Sequence, residues 1–466
     1  MIYDFRFTIE GETQRRGERG GTQSERSTII SATLCALRVS AFIGVVCASF
    51  IPTARAETLL LTGATVHTVS GVTITNGQVL VLDGKIAAIG SPINATDAKE
   101  ISLDGLHLYP GMIALNTDLG LAEIDAVRAT LDIREVGEYT PDVYSWLAVN
   151  PDSELLPVAR ANGVSHFEPV PAGAVLAGQS GLMALDGWTT EEMVVKKAVA
   201  LHIYWPSLNL DTTPKERMRD PKRWKSLEDQ DKERKEKLRQ IDEFFAEAGA
   251  YAKAKENGKD FQIVPAWEAM LPAVRGETPV TIHADETRQI RAAVTWASTN
   301  GVKMILADGL DAWRVADLLA SNNVPVIFGR VFTQPGRETD GYAVNFSAPS
   351  VLSKAGVKLA FSGGGDPGGN GSLVKNLPYM AAQAVAFGLP ADEALKAVTL
   401  YPAQIAGVAE RLGSIEVGKD ATLFVADGDI LDIRSNVKRM WIGGKEVSLE
   451  SRHTRLHEKY RNRPKP

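Results

Sequence analysis

From about residue 110 to residue 405 the chain alternates short, near-continuous apolar runs with stretches of helical periodicity, and few architectures accommodate that order. Residues 279–284 read as a strand and 286–300 as a helix. The pattern recurs in strand 303–307 with helix 311–321, then in strands 325–328 and 357–361. Apolar runs of this kind are buried on both faces, as in a parallel sheet covered by helices. Closed into a barrel, such strands carry functional residues at their C-terminal ends. The expected fold is therefore α/β, with a TIM-like (β/α)8 barrel over residues 110–409.

The flanks have a different period. Residues 58–61, 65–69, 78–82 and 85–89 are β-rich, with Asn76-Gly77 and Asp83-Gly84 as hairpin signals. Residues 421–426 and 439–442 read as strands near the other end, with turns at Gly428 and Gly443-Gly444. Together they predict a small β-sandwich domain built from both chain ends, 57–109 and 410–450. Within the barrel region, residues 212–260 are dominated by Lys, Arg, Glu and Asp, with scattered Trp224, Leu227, Leu238 and Phe244. A charged helical insertion is expected there. Its acidic and basic residues interleave, which argues against a nucleic-acid surface. The tail 451–466 is rich in Arg, His and Lys, and is expected to dock as a short helix or to fray.

The first 56 residues describe a leader. A polar segment with Arg15, Arg16, Arg19 and Arg26 precedes an apolar stretch at 29–51, interrupted by Arg38 and followed by a small-x-small exit at Ala54 and Ala56. That is the pattern of a secretory signal peptide. Its uninterrupted part, 39–51, falls short of the roughly 20 residues of a spanning helix; a retained anchor is the alternative. The expectation is an exported protein, periplasmic or secreted, without stable membrane insertion. Both cysteines, Cys35 and Cys47, lie in this leader, so residues 57–466 contain none. Cysteine is thereby excluded as nucleophile or metal ligand, and stability must come from a conventional core. A net charge of −6 gives no global attraction to phosphate backbones or anionic lipid.

Chemistry concentrates in two segments. In Tyr109-Pro110-Gly111-Met112-Ile113-Ala114-Leu115-Asn116-Thr117-Asp118, a strand entered through Pro-Gly ends in two polar side chains spaced i and i+2, which point the same way. Near the other end stands Gly413-Ser414-Ile415-Glu416-Val417-Gly418-Lys419-Asp420-Ala421-Thr422-Leu423-Phe424-Val425, preceded by Ala394-Leu395-Lys396-Ala397-Val398-Thr399 and Tyr401-Pro402-Ala403. With these segments the chain resembles the amidohydrolase superfamily, near its imidazolonepropionase-like exported members. In those proteins a small β domain ends in Pro-Gly-Leu-Ile-Asp, and a His-x-His pair then holds a divalent metal. They close with Gly-Ser-Leu-Glu-x-Gly-Lys-x-Ala-Asp-Leu-x-Val. The resemblance extends over essentially the whole chain after the leader.

The resemblance implies hydrolysis of a carbon–nitrogen bond other than a peptide bond. In the family a metal generates hydroxide and polarises the carbonyl, and an Asp moves the proton to the leaving nitrogen. Carried over residue by residue, the His-x-His pair becomes Asn116 and Asp118. The fifth-strand His survives as His283, within Thr281-Ile282-His283-Ala284-Asp285-Glu286. Asp308, in Asp308-Gly309-Leu310-Asp311-Ala312, stands for the sixth-strand His. The eighth-strand Asp falls on Gly364, and the nearest carboxylate, Asp366, is the candidate proton shuttle. The lysine that bridges two metals in some members has no clear match. The expected set is Asn116, Asp118, His283 and Asp308, around one divalent metal (Zn, Mn or another) or forming a polar network without one. Oxygen donors favour harder cations than zinc, and each added carboxylate weakens the acidification of bound water. Two functions stay open: a metal-dependent hydrolase with an altered site, or an inactive paralogue that binds a small molecule or pairs with an active homologue. A small-molecule substrate or ligand is expected, with a homodimer or a related subunit as partner.

The other histidines carry blander expectations. His67, His107, His453 and His457 are read as surface or structural, and His166 as a buried, hydrogen-bonded imidazole. His202, beside Tyr204 and Trp205, is either structural or a pocket wall. Ser180 is no nucleophile, because the elbow G-x-S-x-G is absent. The glycines at 363–365 lack a following Gly-Lys-Ser/Thr, so they mark a loop over the barrel mouth rather than a phosphate loop.

Overall fold

The computed structural model describes residues 58–464, apart from 174, 259–261 and 364–369. The leader with its two cysteines and the shuttle candidate Asp366 therefore lie outside the described residues. Among those described, no helix is long and apolar enough to cross a membrane.

Strands from both chain ends meet in one sheet. From the first end come β1 (Leu59–Val66), β2 (Ile74–Leu82), β3 (Lys85–Gly90), β4 (Lys99–Ser102) and β5 (His107–Pro110). The barrel strands β6 (Met112–Thr117), β7 (Val164–Pro169), β8 (Leu176–Gln179), β9 (Leu182–Ala184), β10 (Val194–Lys196), β11 (Leu201–Tyr204), β12 (Val280–Ala284), β13 (Met304–Asp308), β14 (Val326–Phe328) and β15 (Leu359–Phe361) follow. Then come β16 (Leu423–Ala426), β17 (Val437–Ile442) and β18 (Lys445–Glu446). The end strands run in the order β18-β17-β16-β5-β1-β2-β3, with β4 also on β1. Leu61, Val66, Val79, Ile86, Leu108, Leu423, Val425 and Trp441 pack beneath them.

Two local readings are corrected here. The separate strands expected at 58–61 and 65–69 are one strand, bent by a register shift between Leu61 and Ala64. Gly63 permits the bend: its φ is +80°, and a Cβ there would sit 1.8 Å from the Asp104 Oδ1. The first half of β1 then pairs with β4 and the second half with β5. Asp83-Gly84 makes the expected hairpin turn, with φ of +49° and +76°. Asn76-Gly77 does not reverse the chain. Asn76 takes φ +52° inside β2 and absorbs an irregularity opposite the bend in β1.

The middle of the chain forms the parallel array. Strands β11 to β15 pair in parallel, neighbour to neighbour, and β6 pairs in parallel with β7. All are buried, as their apolar runs require; Leu306, Val326 and Phe328 have no exposure. Burial of each such side chain contributes roughly 1.5–3 kcal/mol. The hydrogen-bonded ladders form two sheets, β10-β9-β7-β6 and β15-β14-β13-β12-β11-β8. Ser362, just past β15, donates to the carbonyl of Asn116 at the end of β6 (2.8 Å), so the last barrel strand meets the first.

The charged insertion is one long helix, Leu227–Glu256, capped by Ser226. Of its scattered apolar residues, Leu238 and Phe244 pack partly buried against the core. Trp224 and Leu227 are exposed, whereas Ile241, Phe245, Ala248 and Ala252, at helical spacing, are buried. Phe245 meets Trp296 edge-on, and the Trp296 indole donates to Asp242 (2.8 Å), which docks this helix on Thr287–Thr299. The tail forms the helix Arg452–Arg461, capped by Ser451 and with none of its residues buried. Arg455 reaches Glu154 at 3.0 Å.

Candidate active site at the barrel mouth

The C-terminal ends of the parallel strands converge on a small polar space. Asn116, Asp118, Val170, Tyr204, His283, Asp308 and Asn370 line a cavity of about 20 Å³, on the order of what one water needs. Asn116 and Asp118 thus share one cavity, as their i, i+2 spacing predicts. Asn116 takes φ +53° and Asp308 φ +72°, the left-handed region that Asn and Asp tolerate better than other side chains. Such backbone persists where surrounding bonds over-determine it, and clusters at functional sites. Those bonds are present at Asn116: its N–H donates to Glu168 (3.2 Å), and its carbonyl accepts from Ser362 (2.8 Å) and Asn370 (3.4 Å). Asn370 also accepts from the Asp118 N–H (2.8 Å) and donates its own N–H to the Asp118 carboxylate (3.4 Å).

Beneath the cavity four buried groups stand in a row. The carboxylate of Glu168 accepts from the Ser180 hydroxyl (2.6 Å) and lies 3.8 Å from the His202 Nε2. His202 Nδ1 is 3.1 Å from His283 Nε2, and His283 Nδ1 is 3.1 Å from Asp308 Oδ2. The Tyr204 ring stacks on His283 at 4.1 Å, and its hydroxyl donates to the Pro171 carbonyl (3.1 Å). Burial raises the Glu168 carboxyl above its usual range, against the pull of Ser180 and the Asn116 N–H. Burial also holds His202 well below the usual imidazole range, with His283 adding to the effect. The partners set the tautomers. A neutral His283 that donates from Nδ1 to the carboxylate of Asp308 leaves Nε2 bare, to accept from His202 Nδ1.

A divalent metal does not fit this arrangement. Among the described residues no three His, Cys, Asp or Glu side chains converge as a metal site. Both ring nitrogens of His283 are engaged, so coordination would cost a hydrogen bond to Asp308 or to His202. The second oxygen of Asp308 has no hydrogen-bond partner among the described residues, yet it faces the Arg330 guanidinium at 3.9 Å. What remains is one amide and one carboxylate, Asn116 and Asp118, the former a neutral, weak donor.

The structure therefore brings Asn116, Asp118, His283 and Asp308 to one place. His202, fully buried behind His283, does not line the cavity, so its place is structural. Ser180 spends its hydroxyl on Glu168, in keeping with its exclusion as a nucleophile. His166 is buried beside Ser165 (2.9 Å), and burial lowers it to about 4. Four participants escape sequence reasoning. Glu168 had a readable signal, a carboxylate inside β7, where every residue is buried. Tyr204 stands two residues after His202 and hence on the same face. Asn370 and Arg330 lie in loops, where no periodicity marks them.

Sequence and structure comparisons bear on the fold and the family. The profile described as the Amidohydrolase family matches residues 192–447. The crystal structure of an amidohydrolase from Thermotoga maritima superposes with a TM-score of 0.73 at 27% identity, covering 84% of this chain and 99% of that one. The amidohydrolase tasK of Hapsidospora irregularis is 23% identical over 414 residues, 79% of this chain and 39% of that protein. An imidazolonepropionase of Brucella suis is 28% identical over 156 residues, 32% of this chain and 36% of the relative. The chain thus spans well under half the length of these two relatives. Its own profile match covers more than half of its residues, and the chain belongs to the amidohydrolase family.

Proposed function

We propose that the protein is an exported hydrolase acting on a carbon–nitrogen bond other than a peptide bond, at a site organised by its own side chains. One observation carries the reading: two carboxylates, two amides and the His283 imidazole, itself backed by His202, line a cavity of about 20 Å³ at the C-terminal ends of the barrel strands. A water held there lies against Asp118 and Asp308. Either carboxylate is placed to take its proton as it attacks a carbonyl carbon, and to return that proton to the departing nitrogen. The His202–His283 pair orients Asp308, and Asn116 offers an amide donor to the substrate oxygen.

The metal-dependent version uses Asn116, Asp118, His283 and Asp308 as ligands and Asp366 as shuttle, and it requires His283 to give up one of its two bonds. The same observation favours a second reading, a non-catalytic paralogue that binds a small molecule or pairs with an active homologue. Export rests on the leader at 1–56. The fold's first strand begins at Leu59, so cleavage after Ala56 would leave the sheet complete.

The test is hydrolysis of a panel of N-acyl amino acids, lactams and cyclic ureas by the chain expressed with its leader, with and without EDTA. Turnover that survives EDTA and falls at least about 100-fold in Asp118→Asn or Asp308→Asn is expected, given the usual worth of a positioned acid–base group. Turnover abolished by EDTA restores the metal-dependent version. No turnover, with a ligand still bound at the mouth, leaves the paralogue.

A further inference from the structure

The barrel mouth carries a cation that no alignment to the family's metal motif would reveal. Arg330 lies two residues beyond β14, with its side chain only 15% exposed. Its Nε donates to Asp285 Oδ1 (3.1 Å) and its Nη2 to Asp285 Oδ2 (2.6 Å), a bidentate fork. The same Nη2 lies 3.9 Å from Asp308 Oδ1. Asp285 follows His283 by two residues, so the guanidinium answers the carboxylates of two neighbouring strand ends at once. The backbone fixes its position. Thr333 donates to the Arg330 carbonyl (2.6 Å), Gly329 N–H points to the Asp308 carbonyl (3.4 Å), and Val331 is buried beside it.

We propose that Arg330 is the resident cation of this mouth, taking beside Asp285 and Asp308 the electrostatic place of a divalent metal and excluding one. A dication gains its affinity from uncompensated carboxylates, and here they are already paired with a charge that cannot be deprotonated. Any ion on Asp308 would also sit within a few ångströms of a guanidinium in a poorly solvated space, where like charges repel strongly. The rim continues the theme: Arg337 forks onto Asp311 (2.7 and 2.6 Å), and Arg314 pairs with Asp340. Arg330 differs from these two in facing a carboxylate that lines the cavity itself. The inference rests on the mouth being organised by side chains, and the experiment separates the two claims.

Mn²⁺ and Zn²⁺ are titrated calorimetrically into the full chain as wild type, Arg330→Met and Arg330→Lys, with metal content measured after dialysis. The wild type and Arg330→Lys should hold no stoichiometric metal. Arg330→Met should bind one equivalent at least about tenfold more tightly than wild type, as removal of a nearby positive charge predicts, and should lose it when Asp308→Asn is added. Thermal unfolding gives a second readout, since metal should raise the Tm of Arg330→Met alone. Should Arg330→Met not accumulate folded, Arg330→Gln, which keeps a donor for Asp285 without the charge, serves instead. Stoichiometric metal in the wild type overturns both the side-chain-organised reading and this role. A metal-free wild type with equally metal-free neutral variants overturns the role of Arg330 alone. So does metal binding by Arg330→Lys, because exclusion would then not depend on charge.

Discussion

The molecule contains two imidazole pairs, and they are built differently. In the sheet made from both chain ends, His67 Nε2 lies 2.9 Å from His107 Nδ1, in a stack that continues through Tyr109 to Phe424. At the barrel mouth, His202 and His283 lie 3.1 Å apart between Glu168 and Asp308. The first pair has aromatic faces for neighbours, and no carboxylate bonds its free nitrogens. The second has an acid near each end, and Asp308, bonded to His283 Nδ1, sets which nitrogen of that ring donates. One is packing that happens to be polar. The other is an ordered polar row, and its position under a cavity is what makes it chemical.

The largest consequence of that difference is expected at Glu168. Glu168→Ala should cost about 3 kcal/mol of stability in urea unfolding, because it opens a cavity and strands the Ser180 hydroxyl and the Asn116 N–H in the interior. Glu168→Gln should cost less than about 1 kcal/mol, since burial already disfavours the charged form and the amide keeps an acceptor. Equal losses in the two variants would mean that the charge itself is essential there.

Next come the imidazoles. His202→Phe should lose about 2 kcal/mol and abolish any turnover, while His107→Phe, which keeps the stack, should lose less than about 1 kcal/mol and leave turnover unchanged. Comparable effects at the two sites would erase the distinction drawn above.

Acidification should show the smallest effect. His67 is lowered from 6.5 to about 4, by burial first and His107 second. The unfolded chain therefore takes up this proton before the folded one. Stability is full above about pH 6.5 and declines as the pH falls towards 4. Allowing for the partial exposure of His67, its share between pH 7 and 5 is about 1 kcal/mol, and His67→Gln should flatten the denaturation midpoint by that much. An unchanged slope in His67→Gln would mean that His166 and other buried groups carry the whole pH dependence.

The scaffold is readable in the sequence because strand and helix periods repeat and the apolar runs are long. Strands 279–284 and 303–307 appear within a residue or two as β12 and β13. The failures have local causes. Gly63 and Asn76 use left-handed backbone to bend strands rather than to end them, and a turn signal cannot tell those uses apart. At the mouth, Asn116, Asp118, His283 and Asp308 are legible as positions because the strand ends are. Their roles are not, because those depend on partners such as Glu168 and Arg330, hundreds or tens of residues away. The insertion shows the same limit: Trp224 and Phe244 are both aromatics in a charged run, yet Trp224 is exposed while Phe244 packs against the core.

The seam between the two chain ends has a consequence for how the protein comes into being. Lys85 meets Asp420 across 335 residues, Ile86 N–H donates to the Lys419 carbonyl (2.9 Å), and β16 completes the edge of β5. Nearly the whole polypeptide must emerge before the first strands find their last neighbour, and so non-local a pairing forms slowly. Until then Leu108 to Pro110 present an open, apolar strand edge, the surface on which chains stick to one another. The run from Gly413 to Val425 is therefore a clasp as much as a signature. Chains cut short before it should aggregate rather than fold, and a nascent chain needs its edge guarded until the clasp arrives.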